Sequence, residues 1–159
     1  MTRTKARELA IRLIYAQAAS DEAPEDLLGG FFEEEHFETL AGEDALFGEK
    51  PDEGSLAYIR GLVSLCAEHR AEIDAYIEKY AIGWRTERIT RTAAAVLRCA
   101  LAELLYVEDT PPSAAINEAV ELAKKYGGDE DSAFINGVLG GISRRENMPA
   151  ESAAGNDRP

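Results

Sequence analysis

Histidine and cysteine are scarce in this chain: His36, His69, Cys66 and Cys99 are all that 159 residues contain. Catalysis at a metal, or by a nucleophile and its base, needs several such groups converging on one place. The supply here is thin. Both cysteines sit among helically spaced apolar residues, with no neighbouring histidine, cation cluster or disulfide spacing, and are read as buried reduced thiols. Glu33-x-x-His36 has the i, i+3 spacing of carboxylate-bridged di-iron bundles. That architecture needs a second copy and two further glutamates, so the motif is read as part of a solvated acidic face. No glycine-rich phosphate loop follows a strand, and Gly127-Gly128 is read as a helix stop. No metal, no cofactor and no enzymatic activity are expected.

Long apolar runs are missing too. Nothing approaches the ~20 residues of a membrane helix, and the Met1 end has no signal-peptide pattern. A cytoplasmic protein with no membrane partner is expected. Strict apolar–polar alternation long enough for a strand is also absent, whereas helical spacing recurs, so the expected class is all-α. At this length folding buries roughly 70% of the unfolded surface, and the absence of internal repeats makes a compact bundle the default.

The first helix is expected from Thr4 to about Ala19, with Ala6, Leu9, Ala10, Leu13 and Ile14 on one face and Lys5 and Arg12 on a flank. A short helix follows Pro24. The acidic stretch from Phe32 to Gly54, broken by Gly42, Gly48, Pro51 and Gly54, is read as a mobile excursion. Ser55 is the expected cap of a long helix or a broken pair reaching Tyr80. The segment from Ile89 to Val107 is the most apolar and is expected to be central. After Thr110-Pro111-Pro112 a helix runs to Gly127, and a last one spans about Ser132 to Arg144. One domain over 1–146 is expected, with a disordered tail over 147–159.

The net charge of −13 argues against nucleic acid, because phosphate binding is driven by Lys and Arg. Its distribution reverses that inference. Between Ser20 and Ser55 there are 13 Asp and Glu against the single Lys50, so the rest of the chain is near neutral. Among the first 15 residues Arg3, Lys5, Arg7 and Arg12 face only Glu8. Bulk acidity leaves room for a basic face.

Several segments keep a common order and spacing: Ala6-Arg-Glu-Leu-Ala10 with Leu13-Ile-Tyr15, Trp84-Arg-Thr-Glu-Arg-Ile89, Ala95-Val-Leu-Arg-Cys-Ala-Leu-Ala-Glu-Leu104, Pro111-Pro112, Ala115-Ile-Asn-Glu-Ala-Val-Glu-Leu-Ala-Lys-Lys-Tyr-Gly127 and Phe134-Ile-Asn-Gly-Val-Leu139. Together they resemble the NusB family of transcription antitermination factors. The resemblance implies about seven helices in two packed helical subdomains. It also implies binding of single-stranded boxA RNA jointly with the ribosomal protein NusE, followed by loading onto RNA polymerase antitermination complexes.

Each residue implicated this way has a structural alternative. Arg3, Lys5 and Arg7 resemble the family's basic RNA-binding segment, joined by Arg12 on the same helix. Such an arm either orders on binding or is merely a frayed terminus. Arg98 interrupts an apolar helix and needs a phosphate, or a carboxylate such as Glu103 or Glu118. Tyr126 and Phe134 flank a turn where bases could stack, with core packing the alternative for Phe134. Ala133 stands where the family pattern places a lysine. Asn117 and Asn136 are expected to satisfy backbone groups at a helix crossing, and Gly137 to allow close approach there. Tyr15 belongs by resemblance to the NusE surface, together with Glu103 and Glu118, or else is a buried core tyrosine. Two other functions stay open: an accessory domain acting with an RNA-modifying enzyme, and a purely protein-interacting helical dimer. Homodimerisation is compatible with the adaptor role as well.

Overall fold

The computed structural model describes residues 1–20, 22–33, 48–81, 89–107 and 110–146. Six helices and no strand occur among them: α1 (Arg3–Ser20), α2 (Pro24–Phe31), α3 (Glu53–Glu68), α4 (Arg70–Tyr80), α5 (Arg91–Tyr106) and α6 (Pro112–Arg145). The all-α class is met, and a break inside α6 makes seven helical segments of the six helices. Most of the expected acidic excursion (34–47), residues 84–88 of the Trp84 motif, His36 and the 147–159 tail lie outside the described residues. None of the described helices is long and apolar enough to cross a membrane. The chain divides into two compact units, Met1–Glu68 and the part from His69 onward.

In the first unit α1 packs on α3, and α2 packs on both. The expected apolar stripe is the buried one: Ala6, Leu9, Ala10, Leu13 and Ile14 are all at most 2% exposed. They are joined by Leu28 of α2 and by Ile59, Leu62, Val63 and Cys66 of α3. Burying each Leu or Ile contributes about 1.5–3 kcal/mol, which explains why an 18-residue helix of weak intrinsic amphipathicity is held in place. Thr2 starts α1, its Oγ1 accepting the Lys5 N–H at 3.1 Å. Asp52 starts α3 in the same manner, its Oδ1 accepting the Ser55 N–H at 2.8 Å. The expected cap, Ser55, therefore lies inside the helix, because a carboxylate three residues earlier already occupies the capping position.

In the second unit α6 packs along α5, and α4 contacts both. The α5 helix is apolar almost all round, with Ala93, Ala95, Val96, Leu97, Cys99, Ala100, Leu101 and Ala102 buried, as a central helix must be. Thr90 caps it by accepting the Ala93 N–H at 2.9 Å, and its hydroxyl donates to Asp131 of α6, also at 2.9 Å. His69 separates α3 from α4 with φ −109° and ψ 23°, so the two form a broken pair. Its ring stacks on Tyr106 at the end of α5, centroids 3.9 Å apart. At the other end of α4, the Tyr80 hydroxyl and the Lys79 ammonium both donate to Glu146 just beyond α6. These bonds hold the Glu146 carboxyl below its ordinary range, the tyrosine hydroxyl being the larger cause.

Gly128 breaks α6 with φ 83° and ψ −168°, one residue later than expected. That backbone region is essentially closed to side-chain-bearing residues. Gly137, by contrast, lies in regular helix, and a Cβ there would meet nothing within 4 Å. The expected close helix approach at Gly137 is thus corrected: the position is exposed. Gly128→Ala is expected to lower stability by about 1–3 kcal/mol, whereas Gly137→Ala raises it by about 0.5–1 kcal/mol. Thermal unfolding followed by circular dichroism separates the two, and equal shifts would remove any conformational requirement at Gly128.

Candidate nucleic-acid interface

The basic segment of the first unit is helical from Arg3 rather than a loose arm, since Thr2 satisfies an orphan N–H of the first turn. Arg3 and Lys5 are exposed, whereas Arg7 and Arg12 are half-buried and each is engaged by neighbours. At about 100° per residue, Arg3 and Arg7 fall on one flank of α1, and Lys5 and Arg12 on the opposite one. The four cations therefore do not form a single stripe. What they share is the head of the helix, where Arg3 and Lys5 bracket the first turn and no acidic residue opposes them within it. The positive end of the helix dipole adds to their field, so the head of α1 is a place where an anion is favoured.

Three side chains that sequence reasoning did not single out complete this site. The Arg3 guanidinium lies 3.9 Å from the centroid of the Tyr58 ring on α3, a cation–π contact that fixes its direction. Glu49 reaches the Lys5 ammonium at 3.4 Å and the Met1 amino group at 3.2 Å, and Asp52 lies 3.5 Å from that same amino group. Glu49, hydrogen-bonded to the Met1 amine and then to Lys5, titrates below the usual carboxylate range. Asp52 does so chiefly through its hydrogen bonds with Ser55. The Met1 amine is pushed up in return, with Glu49 the largest cause. Met1, Arg3, Ala6, Asp52, Gly54 and Ser55 line a shallow pocket here. The signal for Glu49 and Asp52 lay in the acidic segment, but no local pattern indicated that its end returns to α1.

In the second unit the expected contacts are largely redirected into structure. Arg98 is 15% exposed in its side chain, and its Nε donates to Asp74 Oδ1 at 2.9 Å, with an Nη at 3.4 Å from Oδ2. A carboxylate partner thus comes from α4, in keeping with the structural alternative for this residue. Arg70 donates to the same Asp74 at 3.3 Å. Phe134 is 2% exposed and belongs to the core, which corrects its expected role as a stacking surface. Tyr126 remains half-buried at the end of the first α6 segment, with the Lys125 ammonium 5.4 Å from its ring centroid. Glu103, 2% exposed, cannot present a carboxylate to a partner, and Glu118 is half-buried. Asn117 and Asn136 are exposed, so neither amide sits inside a helix crossing. Ala133 is exposed as well. Among the described residues Tyr15 is the large hydrophobic side chain left exposed, at 42%, which corrects the buried alternative. Cys66 and Cys99 are free and buried.

The NusB family model matches residues 4–144. The chain is 35% identical over 157 residues to the transcription antitermination protein NusB of Acetivibrio thermocellus, covering 99% of each. Among solved structures it is similar to NusB of T. maritima, with a TM-score of 0.73 at 26% identity over 91% of this chain and 92% of that one. It is also similar to a chain in the crystal structure of the antitermination factors NusB and NusE in complex with dsRNA, with a TM-score of 0.69 at 26% identity, covering 89% and 96%.

Assigning Arg98 to structure gives a direct test. Asp74→Ala withdraws a carboxylate from a largely buried guanidinium and is expected to cost about 1–3 kcal/mol. Arg70→Ala breaks a half-exposed pair and costs at most about 1 kcal/mol. Denaturant unfolding of both variants checks the difference, and comparable losses would place the two arginines on an equal footing.

Proposed function

This chain belongs to the NusB family of transcription antitermination proteins, and from that premise we propose that it is an RNA-binding antitermination adaptor. The family's members are antitermination factors rather than enzymes. The RNA it takes is single-stranded and of boxA type, bound jointly with NusE, and the assembly then joins RNA polymerase in the cytoplasm. The observation that carries this role is the head of α1, where exposed Arg3 and Lys5 add to the positive end of the helix dipole. Phosphate oxygens are the anions such a site suits, and Arg in particular offers them paired N–H donors. The similarity to a chain in the solved complex of NusB and NusE with dsRNA supports RNA and NusE as its partners.

Tyr126 supplies the ring that Phe134 does not. A half-exposed aromatic beside a lysine can stack on an unpaired base while the cation meets its phosphate, the usual combination for single strands. Tyr15, exposed on α1, is the anchor for NusE. Large amphipathic rings dominate protein interfaces because they bury much area at small cost in side-chain freedom. Arg7 and Arg12, half-buried, contribute to the local potential rather than to direct contact.

The experiment measures binding of boxA RNA and of a scrambled RNA, with and without purified NusE, across a salt series. Tighter binding of boxA in the presence of NusE is expected. Arg3→Ala with Lys5→Ala weakens RNA binding at least about tenfold and flattens the salt dependence by about 0.7 for each phosphate left without a cation. Tyr15→Ala weakens the NusE contribution while leaving RNA binding without NusE unchanged. Equal affinity for boxA and scrambled RNA in every condition would refute the role.

A further inference from the structure

We propose that Glu49 and Asp52 act as an internal stand-in for RNA phosphate at the head of α1, setting an ionic threshold that an incoming RNA must exceed; this rests on the RNA-binding role proposed above. Three observations converge. The first turn of α1 carries Arg3 and Lys5 with no acidic residue of its own, an arrangement that the helix dipole disfavours. The anions that relieve it come from far along the chain: Glu49 meets Lys5 across 44 residues, and Asp52 shares the Met1 amino group with Glu49. Both carboxylates lie in or beside the pocket that Arg3 lines, the position an RNA phosphate would take on approaching this helix end.

Carboxylate and phosphate oxygens make the same demand on their surroundings: N–H donors and positive potential. What differs here is attachment, since the carboxylates are tethered and the RNA is not. The ion pairs are exposed, with Glu49 at 47% and Asp52 at 64% side-chain exposure, and exposed pairs hold weakly. They are therefore displaceable rather than structural. Displacement has a salt signature. Each phosphate neutralised by the protein releases condensed cations, but each carboxylate set free attracts cations back. An occupied site thus binds RNA more weakly at low salt and with a shallower salt dependence than the same site emptied.

The test uses Glu49→Gln with Asp52→Asn, which removes both charges yet keeps α3 capped, because Asn is as good an N-cap as Asp. A control pair, Glu25→Gln with Asp26→Asn, makes the same change of net charge in the first turn of α2, which begins beyond the opposite end of α1. Binding of a labelled single-stranded oligouridine is followed by fluorescence anisotropy over about 50–200 mM salt, the range in which counterion release is resolved. The Glu49/Asp52 variant is expected to bind about three- to tenfold tighter at low salt, with a slope steeper by up to about 0.7 per phosphate engaged. The control stays near the wild type. Equal tightening in both variants would reduce the effect to bulk charge and overturn the inference. So would wild-type affinity and slope in the Glu49/Asp52 variant when Arg3→Ala with Lys5→Ala does weaken binding, leaving the RNA-binding role intact. If that alanine pair leaves affinity unchanged, the role itself falls and the stand-in with it.

Discussion

Cations at the amino end of a helix oppose its dipole, and the candidate site of this protein is organised around that conflict. Arg3 and Lys5 stand in the first turn of α1, where Asp or Glu would be the stabilising choice. The helix nevertheless begins there because Thr2 caps it and because the buried stripe from Ala6 to Ile14 fixes it on α3. Hydrophobic burial summed over five side chains is larger than the repulsion of two exposed charges. The fold thus tolerates a local electrostatic cost, and what that cost creates is a positive potential whose direction is set by a rigid element. Tyr58 beneath Arg3 serves the same end, holding a long side chain that would otherwise sample many rotamers.

The second unit treats charge in the opposite way. Arg98, 15% exposed in its side chain, and the buried Asp131 are answered by side chains of the same unit, Asp74 and Thr90. Buried ionic groups need such answers because an unpaired charge in the interior is far more costly than a solvated one. Asp74 draws in two guanidinium groups, Arg70 and Arg98, and so connects α4 to the central helix. The consequence for function is a division of labour among the arginines: Arg3 at the head of α1 remains accessible, while Arg98 is committed to packing.

This division explains what was legible in the sequence. Helical periodicity located α1, the central α5 and the apolar face of α6, because each depends on burial of a stripe that spacing alone reveals. The basic character of the α1 head was legible too, as local composition. Roles that depend on tertiary direction were not. Nothing in the local pattern around Arg98 names Asp74, 24 residues earlier, as its partner. Phe134 and Tyr126 flank the same turn, with core packing left open for Phe134, and the break at Gly128 separates two helical segments so that Phe134 falls on the buried side of the second. Asn117 and Asn136 looked like buried amides because their neighbours are apolar, but a helix shows both faces within four residues. The capping positions failed for a related reason: Ser55 is a fair N-cap, and Asp52 simply reaches the frayed end first.

The uneven charge of the chain follows from the same organisation. A protein of net charge −13 would be repelled by a polyanion if its charge were spread evenly. Concentrating 13 acidic residues between Ser20 and Ser55 keeps the remainder near neutral, and within a Debye length of about 8 Å at physiological salt it is the nearest charges that govern contact. At the head of α1 those are the Met1 amine, Arg3 and Lys5 together with Glu49, 3.4 Å from the lysine, and Asp52, 3.5 Å from the amine. Affinity there is consequently a local balance between few cations and few carboxylates, and a nucleic acid gains by it only when several phosphates engage at once. The adaptor role proposed above has use for such weakness, since a partner's contribution would then decide whether binding occurs.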